Sequence, residues 1–329
     1  MNAPVLLSPS GKDYLWGGRR LKTLFNKTID LDPLSETWEC STHKDGPSYV
    51  YSGPYKGLTL KELLRIHPEY LGIDNFNTEG EIPILIKFID AKKDLSVQVH
   101  PSDSYANEHE NGQLGKTEMW FVLSHRKDAS LVYGFKKDMT KKEVLKALKD
   151  NTLQDHLNKV KVKDHETYFI PSGTVHAIGN GIILMEIQEN SNLTYRLYDY
   201  GRLGKDGKPR ELHIQKALEV MNLKKQKEEK GKDLSVFKGK GFTEKELAKC
   251  PYFITSDLSF DTTHDKDLVD FKTGKESFEV LICYKGCGVI LNQEEDFTLP
   301  FFQGDTIFFP ADSMKVRLHG QANLIHVKC

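Results

Sequence analysis

The sequence has no surplus of charge of either sign: 46 Lys and Arg stand against 47 Asp and Glu, a formal net charge of −1. No global field therefore draws the chain to nucleic acid or to an anionic membrane, and any anion it binds must be held by a local cluster. No run approaches the ~18 apolar residues that a membrane helix needs. The start, from Met1 to Ser10, has no basic end leading into an apolar core, which argues against a secretory signal. Cysteine is scarce and scattered: Cys40, Cys250, Cys283, Cys287 and Cys329 are odd in number and form no regular spacing. That pattern fits a reduced, cytoplasmic protein rather than a disulfide scaffold. Cys283 and Cys287 stand four apart, but no second pair answers them, so they read as ordinary thiols.

What is present is globular. A hydrophobic fraction of 38% beside a charged fraction of 28% describes a chain that can bury a core, and 329 residues suffice for two compact units. Thr59 followed by Glu62 forms a capping box ahead of an apolar-periodic helix that Pro68 ends. The β-branched run from Ile82 to Ile89 reads as a buried strand. From Leu95 the period is two, so Ser96, Gln98 and His100 share one face while Val97 and Val99 share the other. A further strand at Glu118 to Leu123 sets Glu118, Trp120 and Val122 against Met119, Phe121 and Leu123. Helical periodicity over Thr140 to Lys159 predicts an insertion covering a sheet.

Gly204 to Pro209 reads as a hairpin or lid loop, and a helix follows at Ile214 to Met221. The charge run from Lys224 to Lys232 contains no apolar residue and reads as a solvated connection, dividing 1–230 from 231–329. Beyond it, strands are expected at Tyr252–Phe260, Ser277–Tyr284, Gly288–Asn292, Asp305–Phe309 and Asn323–Val327. Many short strands separated by turns predict a mainly β chain of two sandwich units, the first carrying helical insertions.

Four residues stand out chemically. A sheet has no reason to bury the carboxamide of Gln98 beside the imidazole of His100 without a shared partner. With Glu118 on the next strand and His176 after the Pro171-Ser172-Gly173 turn, they make a nitrogen and oxygen set suited to zinc, with manganese, iron or cobalt also admissible. The rival reading makes each histidine an ordinary hydrogen-bonded residue, Glu118 a partner of Lys116, and Glu186 with Arg196 a structural ion pair.

The stretches Gln98-Val99-His100-Pro101, Lys116-Thr117-Glu118-Met119-Trp120, Gly173-Thr174-Val175-His176-Ala177 and Glu186 to Arg196 resemble the type I phosphomannose isomerases in their shorter bacterial form. Trp16-Gly17-Gly18 and Glu36-Thr37-Trp38 fit the same family, and the resemblance spans residues 14 to 202. It implies two cupin-like jelly-roll domains, with Asp164 to His176 as a cupin motif. The implied cofactor is one zinc ion per chain on Gln98, His100, Glu118 and His176. The essential arginine falls on Arg196, the active-site glutamate on Glu186, and Lys116 is a rival base. Ser96, Lys87 and Lys116 fall in the substrate pocket, and Arg202 stands where a phosphate contact is expected. Gly304 to Ser313 is a cupin-like turn with no histidine close behind it, implying a degenerate, metal-free second domain.

The implied reaction interconverts D-mannose 6-phosphate and D-fructose 6-phosphate through a cis-enediol. The implied partner is therefore a small sugar phosphate, handled by a monomer or weak homodimer. A non-catalytic sugar-phosphate-binding cupin and a metal-dependent cupin oxygenase are the alternatives.

Overall fold

Alternation along Ser96 to His100 has the expected result: the valines face a helix-covered core and the polar residues face the opposite way. The computed structural model describes residues 2–227, 235–264 and 268–329. The charge run used to divide the sequence falls partly on 228–232, outside the described residues.

Strands make up 40% of the chain and helices 14%, so the protein is mainly β. The first strands are β1 (Val5–Ser8), β2 (Ser10–Lys12), β3 (Glu36–Cys40), β4 (Tyr49–Val50), β5 (Ile84–Ala91), β6 (Val97–Val99) and β7 (Glu118–His125). Then come β8 (Ser130–Phe135), β9 (Leu157–Lys161), β10 (Thr167–Ile170), β11 (His176–Ala177), β12 (Ile182–Glu189) and β13 (Tyr195–Tyr198). The remainder carries β14 (Val236–Gly239), β15 (Phe242–Lys249), β16 (Ile254–Asp261), β17 (Val269–Phe271), β18 (Glu279–Asn292), β19 (Phe297–Phe302), β20 (Thr306–Phe309) and β21 (Val316–Lys328). The helices are α1 (Arg20–Phe25), α2 (Leu60–Ile66), α3 (Asp103–His109), α4 (Lys141–Lys149), α5 (Leu153–His156) and α6 (Ile214–Val220).

Two antiparallel sheets enclose the first unit. One has the order β10-β7-β12-β5-β3-β2 and the other β13-β6-β11-β8-β9. Trp120, Val122, Ile182 and Leu184 of the first share a core with Leu131, Tyr133, Val160 and Ile178 of the second, so the sheets pack face to face. Behind the second sheet, Val97, Val99, Val175 and Leu197 meet Val144, Ala147, Leu153, Ala217 and Leu218, so α4, α5 and α6 cover it as the periodicity predicts. Behind the first sheet, Ile86, Phe88, Met119, Phe121 and Met185 pack on Leu247, Phe253, Phe308 and Ile325 of the C-terminal unit. Every residue of β5 and of β12 is therefore buried, because both faces of each strand are covered.

The third sheet follows the order β14-β15-β16-β21-β18-β20-β1-β4, with β17 on β21 and β19 on β18. The early strand β1 pairs with β20, so this sheet draws on both ends of the chain. The architecture is cupin-like throughout.

Some local expectations shift. The capping box at Thr59 and Glu62 is present. The helix expected to reach Lys159 ends after Lys149, where Asn151 takes a left-handed φ of 56°. After the short α5, Leu157 to Lys161 then pairs as a strand with β8. The strands expected at Ser277–Tyr284 and Gly288–Asn292 are one, because a register shift between Cys283 and Lys285 lets β18 continue past Gly286.

Candidate active site

Pairing across the second sheet assembles most of the site. His176 of β11 lies opposite Gln98 of β6 on one side, and Arg196 of β13 lies opposite Gln98 on the other. His100 follows β6, and Glu118 opens β7 on the facing sheet. The Nδ1 of His100 donates to the Leu193 carbonyl and that of His176 to the Thr174 carbonyl, both at 2.8 Å. A carbonyl can only accept, so each Nδ1 carries the proton and each Nε2 keeps its lone pair. Burial, then the nearby Lys116, pushes the His100 imidazole well below its ordinary value; burial pushes His176 down to about 4. Both rings are therefore neutral, the form in which imidazole ligates.

His176 Nε2 lies 3.3 Å from Glu118 Oε1, and His100 Nε2 lies 3.6 Å from Oε2. Among the described residues this trio forms a cluster able to hold a metal ion, with its ligand atoms all within 4.8 Å of one another. Both Glu118 oxygens are buried without a hydrogen-bond partner, although Lys116 Nζ supplies charge 3.1 Å from Oε2. Burial, then the charge of Glu186, pushes the Glu118 carboxyl above the usual carboxylate range. A buried carboxylate without hydrogen bonds and two neutral imidazole nitrogens aimed at one point fit a divalent cation. The Gln98 amide lies 3.3 and 3.5 Å from the two Nε2 atoms. With its nitrogen toward the rings it donates to them; turned over, its oxygen would join the ligand set.

Beside this cluster is a cavity of about 270 Å³, lined by Ser96, Lys87, Lys116, Glu186 and Arg196 together with Gln98. Glu186 sits opposite both Lys87 and Trp120 in the first sheet. Its Oε2 accepts from Trp120 Nε1 at 2.9 Å, and its Oε1 lies 3.2 Å from Lys87 Nζ and 3.6 Å from Lys116 Nζ. Burial would raise the Glu186 carboxyl, but Lys116 and then Lys87 outweigh it and hold the group well below the carboxylate range. Burial would likewise lower Lys116, but Glu118 and Glu186 outweigh it and keep the ammonium charged.

Arg196 does not pair with Glu186, so the rival ion-pair reading fails. Its Nη1 donates to the Glu211 carbonyl at 2.8 Å, while its Nε is buried without a partner. Arg202 does not line this cavity. Its guanidinium instead bonds to the Asp199 carbonyl and carboxylate and to the Asp94 carbonyl. Arg210, Asn192 and Thr194 do line it and were not anticipated. Arg210 follows the lid-like loop with no spacing that ties it to β6 or β7, so sequence carried no signal for it.

Fold and site together define a class: a cupin-like protein with a metal-ready cluster and a charged cavity lined from both packed sheets. Residues 5–116 match the family described as phosphomannose isomerase type I, catalytic domain. The chain is 37% identical to the mannose-6-phosphate isomerase ManA of Bacillus subtilis, with 98% of both chains covered. It is 40% identical over 227 residues to the mannose-6-phosphate isomerase of Streptococcus mutans, covering 68% of this chain and 70% of that one. A crystal structure of the mannose 6-phosphate isomerase from Bacillus subtilis matches with a TM-score of 0.88 at 34% identity over 99% of both chains. The chain belongs to the type I phosphomannose isomerase family.

Proposed function

We propose that the chain is a zinc-dependent aldose–ketose isomerase that interconverts D-mannose 6-phosphate and D-fructose 6-phosphate. The supporting observation is that Glu118, buried without hydrogen bonds, converges with His100 and His176 next to a carboxylate held between two lysines. Two imidazoles and one carboxylate suit zinc, one ion per chain, with Gln98 as the fourth group facing it. When bound, the cation supplies positive charge against the oxygen that becomes negative as the carbon beside the carbonyl loses its proton.

The chain's own residues carry the proton. Glu186 is ionised because Lys116 and Lys87 flank it, which is the state a proton acceptor needs. It takes the proton from C2 of the open-chain aldose and delivers it to C1, while O1 gains a proton and O2 loses one. The intermediate between the two transfers is the cis-enediol. Lys116 and Lys87 donate to sugar oxygens as the charge moves, and their shift away from Glu186 restores its basicity. Arg196, with its unpartnered Nε, orients the enediol. Ser96, two residues before Gln98 on the same face, donates its hydroxyl to Gln98 Oε1 at 3.4 Å and contacts the substrate from the cavity wall. All these groups fall within 1–230, the unit we assign to catalysis; 231–329 serves as the metal-free second unit.

The test is conversion of mannose 6-phosphate to fructose 6-phosphate in a coupled assay, before and after dialysis against a strong chelator. Activity should vanish on chelation and return with zinc. Full activity in metal-free protein would sink the proposal. Substrate binding without turnover would favour a sensor, and bound iron with oxygen consumption would favour an oxygenase.

A further inference from the structure

Four cations line the cavity, and their engagement differs. Lys87 and Lys116 are paired with Glu186 and Glu118 in the interior. Arg196 lies opposite Gln98, beside the metal cluster. Arg210 remains. Its Nε and Nη2 bond both oxygens of Asp199 at 2.8 and 2.6 Å, which leaves Nη1 without a hydrogen-bond partner among the described residues. Arg202 is fastened to the same carboxylate and to the Asp94 carbonyl, outside the cavity, with its guanidinium 5.0 Å from the centre of the Tyr200 ring.

The charges sort accordingly. Around Glu186 and Glu118, two carboxylates meet two ammonium groups. Around Asp199, one carboxylate meets Arg202 and Arg210, and Arg196 nearby bonds only to a backbone carbonyl. The three arginines together exceed the Asp199 carboxylate by two charges, and the Glu36 carboxylate across the cavity offsets one of them, so this side stays net positive and suits an anionic phosphate group. The Glu36 carboxylate also lines the cavity, where it accepts from Trp38 Nε1 at 2.9 Å. It belongs to the first sheet, whereas Arg196 lies in β13 of the second and Arg210 follows that strand, so it would turn an anion toward them.

We propose that Arg210, aimed by Asp199, is the residue that holds the substrate's phosphate, and that Arg202 is a positioning residue that pins Asp199. This deepens the isomerase reading and rests on it for the identity of the sugar. The phosphate end then lies beyond Ser96, while C1 and C2 reach Glu186 and the metal cluster. Asp199, only 5% exposed and bonded to both arginines, keeps the Arg210 guanidinium preorganised.

The experiment compares Arg210→Gln and Arg202→Gln in the zinc-loaded protein, reading isomerase kinetics, metal content and inhibition by inorganic phosphate. Arg210→Gln should raise KM for mannose 6-phosphate and weaken phosphate inhibition, each by about 10- to 100-fold and by more than kcat falls, with metal content unchanged. Arg202→Gln should show a smaller change in both. Should Arg210→Gln fail to fold, Arg210→Lys keeps the charge without the fork and should fall between it and the native protein. Unchanged KM and phosphate inhibition in the Arg210 variants, or a larger effect from Arg202→Gln, would overturn the assignment. Should the native protein not turn over mannose 6-phosphate, phosphorus NMR titration with inorganic phosphate still tests Arg210: binding lost in Arg210→Gln keeps the phosphate site while the isomerase reading falls.

Discussion

Glu118 is fully buried, and neither of its oxygens has a hydrogen bond. With Lys116 at 3.1 Å as its close charged partner, burial and Glu186 still hold the carboxyl above its ordinary range, so its charged form costs the metal-free protein stability, a cost the proposed metal would offset. Replacing it with its neutral isostere should separate the two effects. Glu118→Gln should lower metal affinity by more than about 100-fold, since changing merely an outer partner of a ligand costs 10- to 100-fold. The same change should raise the melting temperature of the chelated protein, because a buried charge is removed while Lys116 keeps Glu186. Elemental analysis and thermal melts of chelated samples check both; native metal content in the variant would remove Glu118 from the ligand set. Gly17 and Gly18 show another residue-scale demand. A Cβ on Gly17 would come within 2.6 Å of Ser35 Cα, and one on Gly18 within 2.2 Å of the Asp90 carboxylate that holds Arg20.

At the scale of elements, coverage decides what a strand looks like in sequence. β7 alternates visibly because Glu118, Trp120 and Val122 face the barrel interior while Met119 and Phe121 face the C-terminal unit. β5 and β12 are covered on both sides and read as continuous apolar runs that conceal the inward Lys87 and Glu186. The helices behind the second sheet depend on local caps as well as on packing. In α4 the Thr140 side chain accepts from the Glu143 amide while Glu143 reaches back to the Thr140 amide. Thr140→Ala should cost about 1 kcal/mol locally. Native-state hydrogen exchange should show faster exchange of the α4 amides with β5, β7 and β12 unaffected; unchanged protection would show that packing of Val144 and Ala147 alone holds the helix.

The whole molecule is tied together through the outer face of the first sheet. Lys27 bonds to Glu39 at 2.7 Å and to the Gly304 carbonyl, and Thr306 bonds the same Glu39 oxygen at 3.0 Å. Gly304 holds φ 101°, and a Cβ there would come within 2.2 Å of the Phe25 carbonyl, so the turn must be glycine where it meets the first unit. Tyr252 donates to Asp103, which also accepts from the Gly115 amide just before Lys116. The C-terminal unit thus supports the segment that carries Lys116 and Glu118.

Within that unit, His326 is buried between Glu244 at 2.8 Å and Glu279 at 2.6 Å, joining β21 to β15 and β18, with Lys328 3.9 Å from Glu279. Burial would lower the imidazole, but bonds to Glu244 and then Glu279 outweigh it and raise it above its ordinary value. Its stabilisation is fully present below the unfolded value of about 6.5 and is lost as pH rises through the raised folded value. The bond to His326 also lowers Glu244, so that contribution is lost as pH falls through the depressed folded value. His326→Gln should therefore lower stability by on the order of 3 kcal/mol near pH 6. The gap should narrow as pH rises, as read from melting temperatures across the pH range; a gap independent of pH would show that His326 acts as a neutral hydrogen-bonding group.

The sequence alone determined the mainly β character, the capping box at Thr59 and Glu62, and the polar groups that the fold gathers into one cluster. Those features depend on neighbours within a few residues, or on side chains too polar for the apolar strands that carry them. His100, Glu118 and His176, whose ligand atoms the fold brings within 4.8 Å of one another, were legible as a cluster for that reason; Glu186 and Arg196 were named through the family resemblance, and both line the cavity beside it. The tertiary structure decided which charges are answered. Lys87 and Lys116 turned out to flank Glu186, Arg202 to be fastened outside the cavity, and Arg210 to enter it on Asp199. An ion pair depends on where two strands and a loop meet in space, and no periodicity along the chain records that distance.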